Sequence, residues 1–340
     1  MNLPILWFII VAVFWTGFFV LEGFDFGVGA LHRLVGRNEL ERRVAINAIG
    51  PTWDGNEVWL IVAGAAMFAA FPGWYATWFS ALYLALVLVL VGLIVRGVSF
   101  EFRGKSGSVR WQNGWSVALT CGSIGAPLLI GVGLGDLLAG LPVGSNQEFT
   151  GSFWDLLTPF GVLFGVALLS ACLLHGATFL GLKAGEPVRS QAARLARLLR
   201  WITAVLVVGA SGWTFALSGK SVLSAALLAL TVVGIVVAAW SIGGGREGRA
   251  FAGTAVAIGS LVAGIFAGLY PDVLVSSTSA ATSLTIASTA SGDYALKVMT
   301  VVAVVLFPVV LIYQGWTYVV FRRRVLLPPD SAAEPSRATS

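Results

Sequence analysis

The sequence predicts an all-α protein that crosses a membrane many times, and three observations predict it. Of its 340 residues, 57% are hydrophobic and only 11% are charged, against roughly 25% charged in a soluble domain. Mean hydropathy is +0.88. Apolar runs of membrane-spanning length recur from end to end. An outer-membrane barrel would instead alternate apolar and polar residues over runs of about ten.

Nine helical spans follow in order, at about 5–31, 50–71, 74–98, 115–139, 157–182, 201–217, 222–242, 251–270 and 295–320. The first has no basic leader before it and runs too long for a cleaved signal peptide, so it reads as a retained span. The sixth is the shortest, and the turn after it (218–221) is tight. Nine spans place 19 of the 21 Lys and Arg on one side, in the loops after spans one, three, five and seven and in the tail; only Lys220 and Lys297 fall opposite. The positive-inside rule then puts the N-terminus outside and the C-terminus in the cytoplasm. The net charge of +5 is loop charge spread thinly, not a nucleic-acid patch.

The outward loops 141–155 and 271–293 carry little charge; the second is rich in Ser, Thr and Ala and packs on the protein surface or on a partner. Residues 1–327 read as one membrane domain, and 328–340 as a disordered cytoplasmic tail. Cys121 and Cys172 lie in apolar stretches without a second Cys at ligand spacing and read as small buried hydrophobes. Trp7, Trp74, Trp78, Trp111, Trp115, Trp154, Trp201, Trp240, Trp316 and Tyr318 fall near predicted helix ends, as an interfacial belt requires.

Against this apolar background four acids stand out: Glu22 and Asp25 in LEGFDFGVG, and Asp54 and Glu57 in WDGNEVW. Charge at bilayer depth is expensive, so such acids face protein or water and serve ions or protons. Asp25 lies eight residues before Arg33, roughly 12 Å along a helix axis; if the chain is helical from Arg43, Asp54 lies roughly 16 Å in and Glu57 roughly 21 Å in. Three-residue spacing puts each pair on one helix face. Pro51 frees a carbonyl just before the second pair. Two readings stay open on chemistry alone. In one, Asp54, Asp25 and Glu57 form a proton path from the cytoplasm, supported by Glu22, Asn47, Asn56, Arg96 and Trp53. In the other, Asp25 and Asp54 bond Asn47, Asn56 or Arg96 in a structural knot without proton traffic. Trp53 and Trp59 flank the acids and pack against the protein, a partner or a quinone ring. Asp136 reads as an interfacial or capping residue at the outer end of the fourth span.

Gly23, Gly27 and Gly29 allow close helix approach; no strand precedes them and no Walker Lys follows, so they are not a nucleotide loop. His32 reads as an interfacial surface residue and His175 as a satisfied packing residue. Two His and three Met near no deep inward position make the chain a poor haem binder by itself. No residue reads as catalytic and no metal site is expected.

The run from Gly23 to Arg103, with GFDFGVGALHRLVGRNELERRVAINAIGPTWDGNEVW and RGVSFEFR, resembles subunit II of the cytochrome bd quinol oxidases; PLLIGVGLGDLLAGLP, LLTPFGVLFGV, HGATFL and LKVMTVVAVVLFPVVLIYQGW extend the likeness over most of the chain. Residues 183–250 carry little of it. The resemblance implies two four-helix bundles plus a peripheral helix, paired with a haem-bearing subunit I that holds two b-type haems and haem d. It implies an enzyme of the bacterial cytoplasmic membrane that oxidises quinol and reduces O₂ to water, drawing protons from the cytoplasm. Asp54 matches the family's proton-path acid, and Asp25 another acidic position of the same motif. The resemblance also implies a structural quinone, with menaquinone hinted by the composition, and allows small single-helix accessory subunits, lipids as neighbours and no nucleic acid. Some relatives are expected to carry Gln where Glu57 stands. The alternative class is a proton-coupled secondary transporter, whose polar groups would sit at the midplane of both halves; here they cluster in the first two spans.

Overall fold

In the computed structural model, which describes residues 2–219 and 221–328, twelve α-helices account for nearly all of the regular structure. Lys220, Arg337 and all but the first residue of the expected tail lie outside the described residues. The helices are α1 (Leu3–Val35), α2 (Glu39–Ile49), α3 (Trp53–Ala70), α4 (Pro72–Ala81), α5 (Tyr83–Phe102), α6 (Val109–Ala139), α7 (Pro159–Lys183), α8 (Val188–Leu217), α9 (Val222–Gly243), α10 (Glu247–Leu269), α11 (Ile286–Thr289) and α12 (Asp293–Val320). Eight of them, all but α2, α3, α4 and α11, are long and apolar enough to cross a membrane. The remaining expected span corresponds to α3, which is 18 residues long but opens on Asp54, Asn56 and Glu57.

Helix starts follow local chemistry. Pro159 stands in the first turn of α7, and the Thr158 hydroxyl accepts the Gly161 N–H at 2.9 Å. The basic stretch 188–200 continues α8 upstream of the expected start, because Val188, Ala192 and Ala196 form a buried stripe while Arg194 and Arg197 stay exposed. The expected third span is interrupted at Leu82, which separates α4 from α5. The loop expected around Arg37–Arg43 contains α2, capped by Asn38, whose side chain accepts the Glu41 N–H at 2.9 Å. At 11 residues it is too short to span the bilayer. Its buried Val44, Ala45, Ala48 and Ile49 join Phe179 and Leu180 in a small core at the end of the bundle.

Packing places α1 at the centre, against α3, α6, α7 and α10. With α3, α5 and α6 it forms one four-helix group, and α7 to α10 form the other. The two groups meet where α1 and α7 come nearly backbone to backbone: a Cβ on Gly27 would overlap the Cys172 carbonyl oxygen and stand 2.8 Å from Gly176 Cα. α12 lies at the periphery and buries only Leu296. Trp7 Nε1 holds it by donating to Thr300 Oγ1 at 3.0 Å.

The outer loops close over one end. Strands β1 (Asp272–Leu274) and β2 (Leu284–Thr285) pair antiparallel; Leu141 N–H donates to the Val275 carbonyl at 3.0 Å, and Ser291 N–H to that of Ala70 at 2.8 Å. The 271–293 loop therefore packs on the chain's own surface. At the other end Val325 pairs with Ala184, and Lys183 Nζ donates to the Phe321 carbonyl.

Several side chains depart from the sequence reading. Trp111, Trp154, Trp201, Trp240 and Trp316 are exposed as a belt requires, but Trp7, Trp74 and Trp78 are core residues. Trp78 donates instead to the Gly133 carbonyl at 3.2 Å. Cys121 is exposed and only Cys172 is buried. The close approach of α1 and α7 yields a test. Gly27→Ala should cost roughly 1–3 kcal/mol and lower the melting midpoint of the purified protein, whereas Gly212→Ala on α8, with open space around it, should leave it unchanged. Equal midpoints for the two variants would refute tight packing there.

Candidate functional site

Three adjacent helices bring the chain's polar side chains together inside the first group. Arg96 of α5 is fully buried, and its side chain must find counter-charges there. Its Nη2 stands 2.6 Å from Glu22 Oε1 of α1, and its Nη1 donates to Glu57 Oε2 of α3 at 2.9 Å. The guanidinium also lies 4.9 Å from the ring centre of Phe26 and 5.4 Å from that of Phe100. One cation thus ties α1, α3 and α5. Glu22 and Asp25, one turn apart on α1, are both fully buried and interact directly with each other. Among the described residues no N–H or O–H reaches Glu22 Oε2 or Asp25 Oδ1.

A second limb runs from Asp25 to α12. Asn56 Nδ2 donates to Asp25 Oδ2 at 2.6 Å and to the Leu21 carbonyl at 3.2 Å. Its Oδ1 accepts from Gln314 Nε2 and from the Tyr318 hydroxyl, each at 2.8 Å. Trp59 Nε1 donates to Gln314 Oε1 at 3.0 Å. Buried Asn56 is therefore the junction between an acid of α1 and two polar groups of the peripheral helix. Beside this limb is an apolar cavity of about 870 Å³, lined by Phe8, Thr16, Trp59, Phe266, Gln314 and Tyr318 among others.

Not every expected member joins. Glu57 meets Arg96 with its side chain 22% exposed. Asp54 is exposed and close enough to Glu57 to act on it electrostatically. The depths expected for both assumed a helix running on from Arg43. The chain instead turns at 50–52, with Pro51 exposed, so α3 starts at Trp53 and Asp54 lies in its first turn. Asn47 sits on the exposed side of α2 and makes no side-chain hydrogen bond to the acids among the described residues. Trp53 stacks on Phe100 at 4.6 Å and so fastens α3 to α5. The structural-knot reading named Asn56 and Arg96 correctly but paired Arg96 with the wrong acids.

The histidines divide. His175 is satisfied by Thr254 Oγ1 at 2.6 Å and the Val20 carbonyl at 3.2 Å, and stacks on Phe251 at 4.4 Å, so neither ring nitrogen is free as an axial ligand. His32 is fully buried, not interfacial: Nδ1 donates to the Gly29 carbonyl at 2.7 Å and Nε2 has no partner. Asp136, expected as an interfacial or capping residue, is buried rather than interfacial and accepts from Thr158 Oγ1, the N-cap residue of α7, at 2.6 Å. The sequence reading missed Gln314 and placed Tyr318 in the interfacial belt, whereas its hydroxyl points inward to Asn56. Their signal is a polar pair four residues apart in the largely apolar second half of α12.

Residues 3–321 match the family described as cytochrome bd terminal oxidase subunit II. A Bacillus subtilis protein named cytochrome bd ubiquinol oxidase subunit 2 is 40% identical over 328 residues, 95% of this chain and 97% of that protein. The cytochrome bd-I ubiquinol oxidase subunit 2 of Escherichia coli K12 is 37% identical over 355 residues, 93% of each. In shape, the chain is similar to one in the bd oxidase structure from Geobacillus thermodenitrificans, with a TM-score of 0.73 over 95% of this chain and 98% of that one. That pair is 18% identical, so the likeness speaks for the fold. The chain belongs to the cytochrome bd terminal oxidase subunit II family.

Proposed function

We propose that the Glu22–Asp25–Arg96–Glu57 cluster carries protons through this chain from the cytoplasm toward the site of oxygen reduction. The chain is a subunit of a quinol oxidase, a multi-pass protein of the bacterial plasma membrane, and family membership does not favour the transporter alternative. It works in a complex with subunit I. The b-type haems and haem d belong to that partner, and accessory single-helix subunits and lipids complete the assembly. The haem chemistry takes place there; this chain's residues hold and pass protons.

One observation carries the reading: two fully buried carboxyls, Glu22 and Asp25, stand one turn apart on α1, and the single guanidinium beside them pairs with Glu22 and with Glu57 of α3. Uncompensated buried charge is costly, so a proton shared between Glu22 and Asp25 satisfies both carboxyls and gives the cluster a transferable proton. Asp54, exposed at the start of α3 beside Glu57, is the member placed to exchange protons with a partner surface. The orientation follows the Lys and Arg bias. A structural quinone fits the cavity beside α12, where the second Nε2 proton of Gln314 offers a ring oxygen a donor within an apolar wall. Residues 1–327 act as one membrane domain.

Two tests follow. Asp25→Asn keeps the shape but removes the titrating group; it should slow oxygen consumption by the assembled oxidase roughly tenfold or more with haem content intact. Asp54→Asn should slow it in the same sense. Full turnover in Asp25→Asn would end the proposal, and full turnover in Asp54→Asn would remove that residue from it. Separately, Arg96→Met leaves Glu22 and Glu57 without their cation and should destabilise the protein by about 3–5 kcal/mol, seen as a lower melting midpoint or loss of assembled complex. Adding Glu22→Gln should recover part of the loss. A wild-type midpoint for Arg96→Met would show that the ion pairs do not hold the helices.

A further inference from the structure

Glu22 and Asp25 are fully buried, so a proton must cross protein to reach them. Asp54 is in electrostatic reach of Glu57, and no hydrogen bond among the described residues links it to the α1 acids. A different line of polar groups runs along the seam between α1 and α6.

The line begins at the basic end of the bundle. Glu39 accepts from Arg103 Nη2 at 2.6 Å, and Arg103 Nε donates to the buried Ser116 Oγ at 2.7 Å. Thr120 and Ser123 follow on α6 at spacings of four and three residues, so they share its face at rises of roughly 6 and 4.5 Å. Both hydroxyl oxygens are buried, and neither has a partner among the described residues. His32 lies across the seam on α1 with its Nε2 also buried and unpartnered; the charged groups acting on it are Arg33, Arg42 and Arg103. Gly29 makes the contact between the helices: a Cβ there would overlap Ser123 Oγ. One residue before Ser123, Gly122 packs beside Arg96, where a Cβ would stand 3.0 Å from the Arg96 Cβ. Arg96 then reaches Glu22, and its Nε is a further buried donor without an acceptor.

An unsatisfied buried polar group is unfavourable, and a structure keeps several only where water completes them. Orphans at His32, Thr120, Ser123 and Arg96 mark out one line between the Glu39–Arg103 pair and the acids. The rises between successive hydroxyls exceed a direct hydrogen bond; the step of roughly 4.5 Å suits one intervening water and the step of roughly 6 Å two. We propose that a file of water enters along the α1–α6 seam at Glu39 and Arg103 and joins Ser116, Thr120 and Ser123 to the Glu22–Asp25 pair, giving this chain a proton inlet of its own. Each hop moves a proton only. A water or hydroxyl oxygen accepts one proton and releases another, and no electron moves. The inlet rests on the proposal that the acid cluster carries protons.

The test uses the assembled oxidase in vesicles, with proton uptake from the inner side as the readout and haem content and quinol-driven haem reduction as controls. Thr120→Val with Ser123→Ala removes both hydroxyls at nearly constant volume and should slow uptake roughly tenfold, while Thr120→Ser, which keeps a hydroxyl, stays near wild type. Uptake unchanged in the double variant but slowed in Asp25→Asn would overturn the inlet and leave the acid cluster standing. Uptake unchanged in both would overturn the inlet together with the reading beneath it. Equal slowing by Thr120→Ser would reveal a packing effect and also overturn it. If the double variant does not assemble, a structure of the wild-type complex decides: ordered waters from Ser116 to Glu22 support the inlet, and a dry seam overturns it.

Discussion

A guanidinium with no access to solvent sits between carboxylates of two other helices, and much of the first helix group is arranged around it. Arg96 is fully buried in α5, and α1 and α3 must each present it an acid at hydrogen-bonding distance. In a bilayer the packing of apolar helices has little hydrophobic drive of its own. An ion pair that must be closed gives the group a fixed register. Phe26 and Phe100 against the guanidinium, and Trp53 stacked on Phe100, build the apolar wall that keeps the pair local.

The glycines and the polar residues solve linked problems. Gly27 and Gly176 let α1 and α7 touch along their backbones, which makes α1 common to both groups and buries Glu22 and Asp25 on it. Once buried, these acids need partners. Asn56 supplies one and passes the connection to Gln314 and Tyr318, so a peripheral helix with little buried surface is tied to the centre by directed hydrogen bonds. That division suits a subunit whose outer surfaces are apolar and whose polar interior is continuous.

Much of this was legible in the residues. Acids inside apolar runs mark α1 and α3 as the helices with polar business, and Asn56 and Arg96 stand among the few polar residues able to pair with them. The spans were readable because bilayer thickness fixes helix length. What was not legible depended on where the chain turns and on distant pairing. The spacing of Asp54 and Glu57 fits one face, but the turn at 50–52 sets where α3 begins and leaves Asp54 exposed. The α2 helix packs against α1 near a helix end that looked open, and His32 is buried there. Gln314 lies 258 residues from Asn56, a separation at which no local pattern reports contact. Trp74 and Trp78 stand near helix ends, as belt residues do, yet α4 turns them inward, Trp74 against Phe8 and Phe266 and Trp78 against Trp15.

Proton transfer through this chain requires a proton held between buried carboxyls rather than charges locked in place. Infrared difference spectroscopy of the assembled oxidase, comparing its oxidised and reduced forms, reads this state directly. A carbonyl-stretch signal from a protonated carboxylic acid should change between the two forms and be lost in Asp25→Asn. A difference spectrum that is the same in wild type and in Asp25→Asn would contradict it.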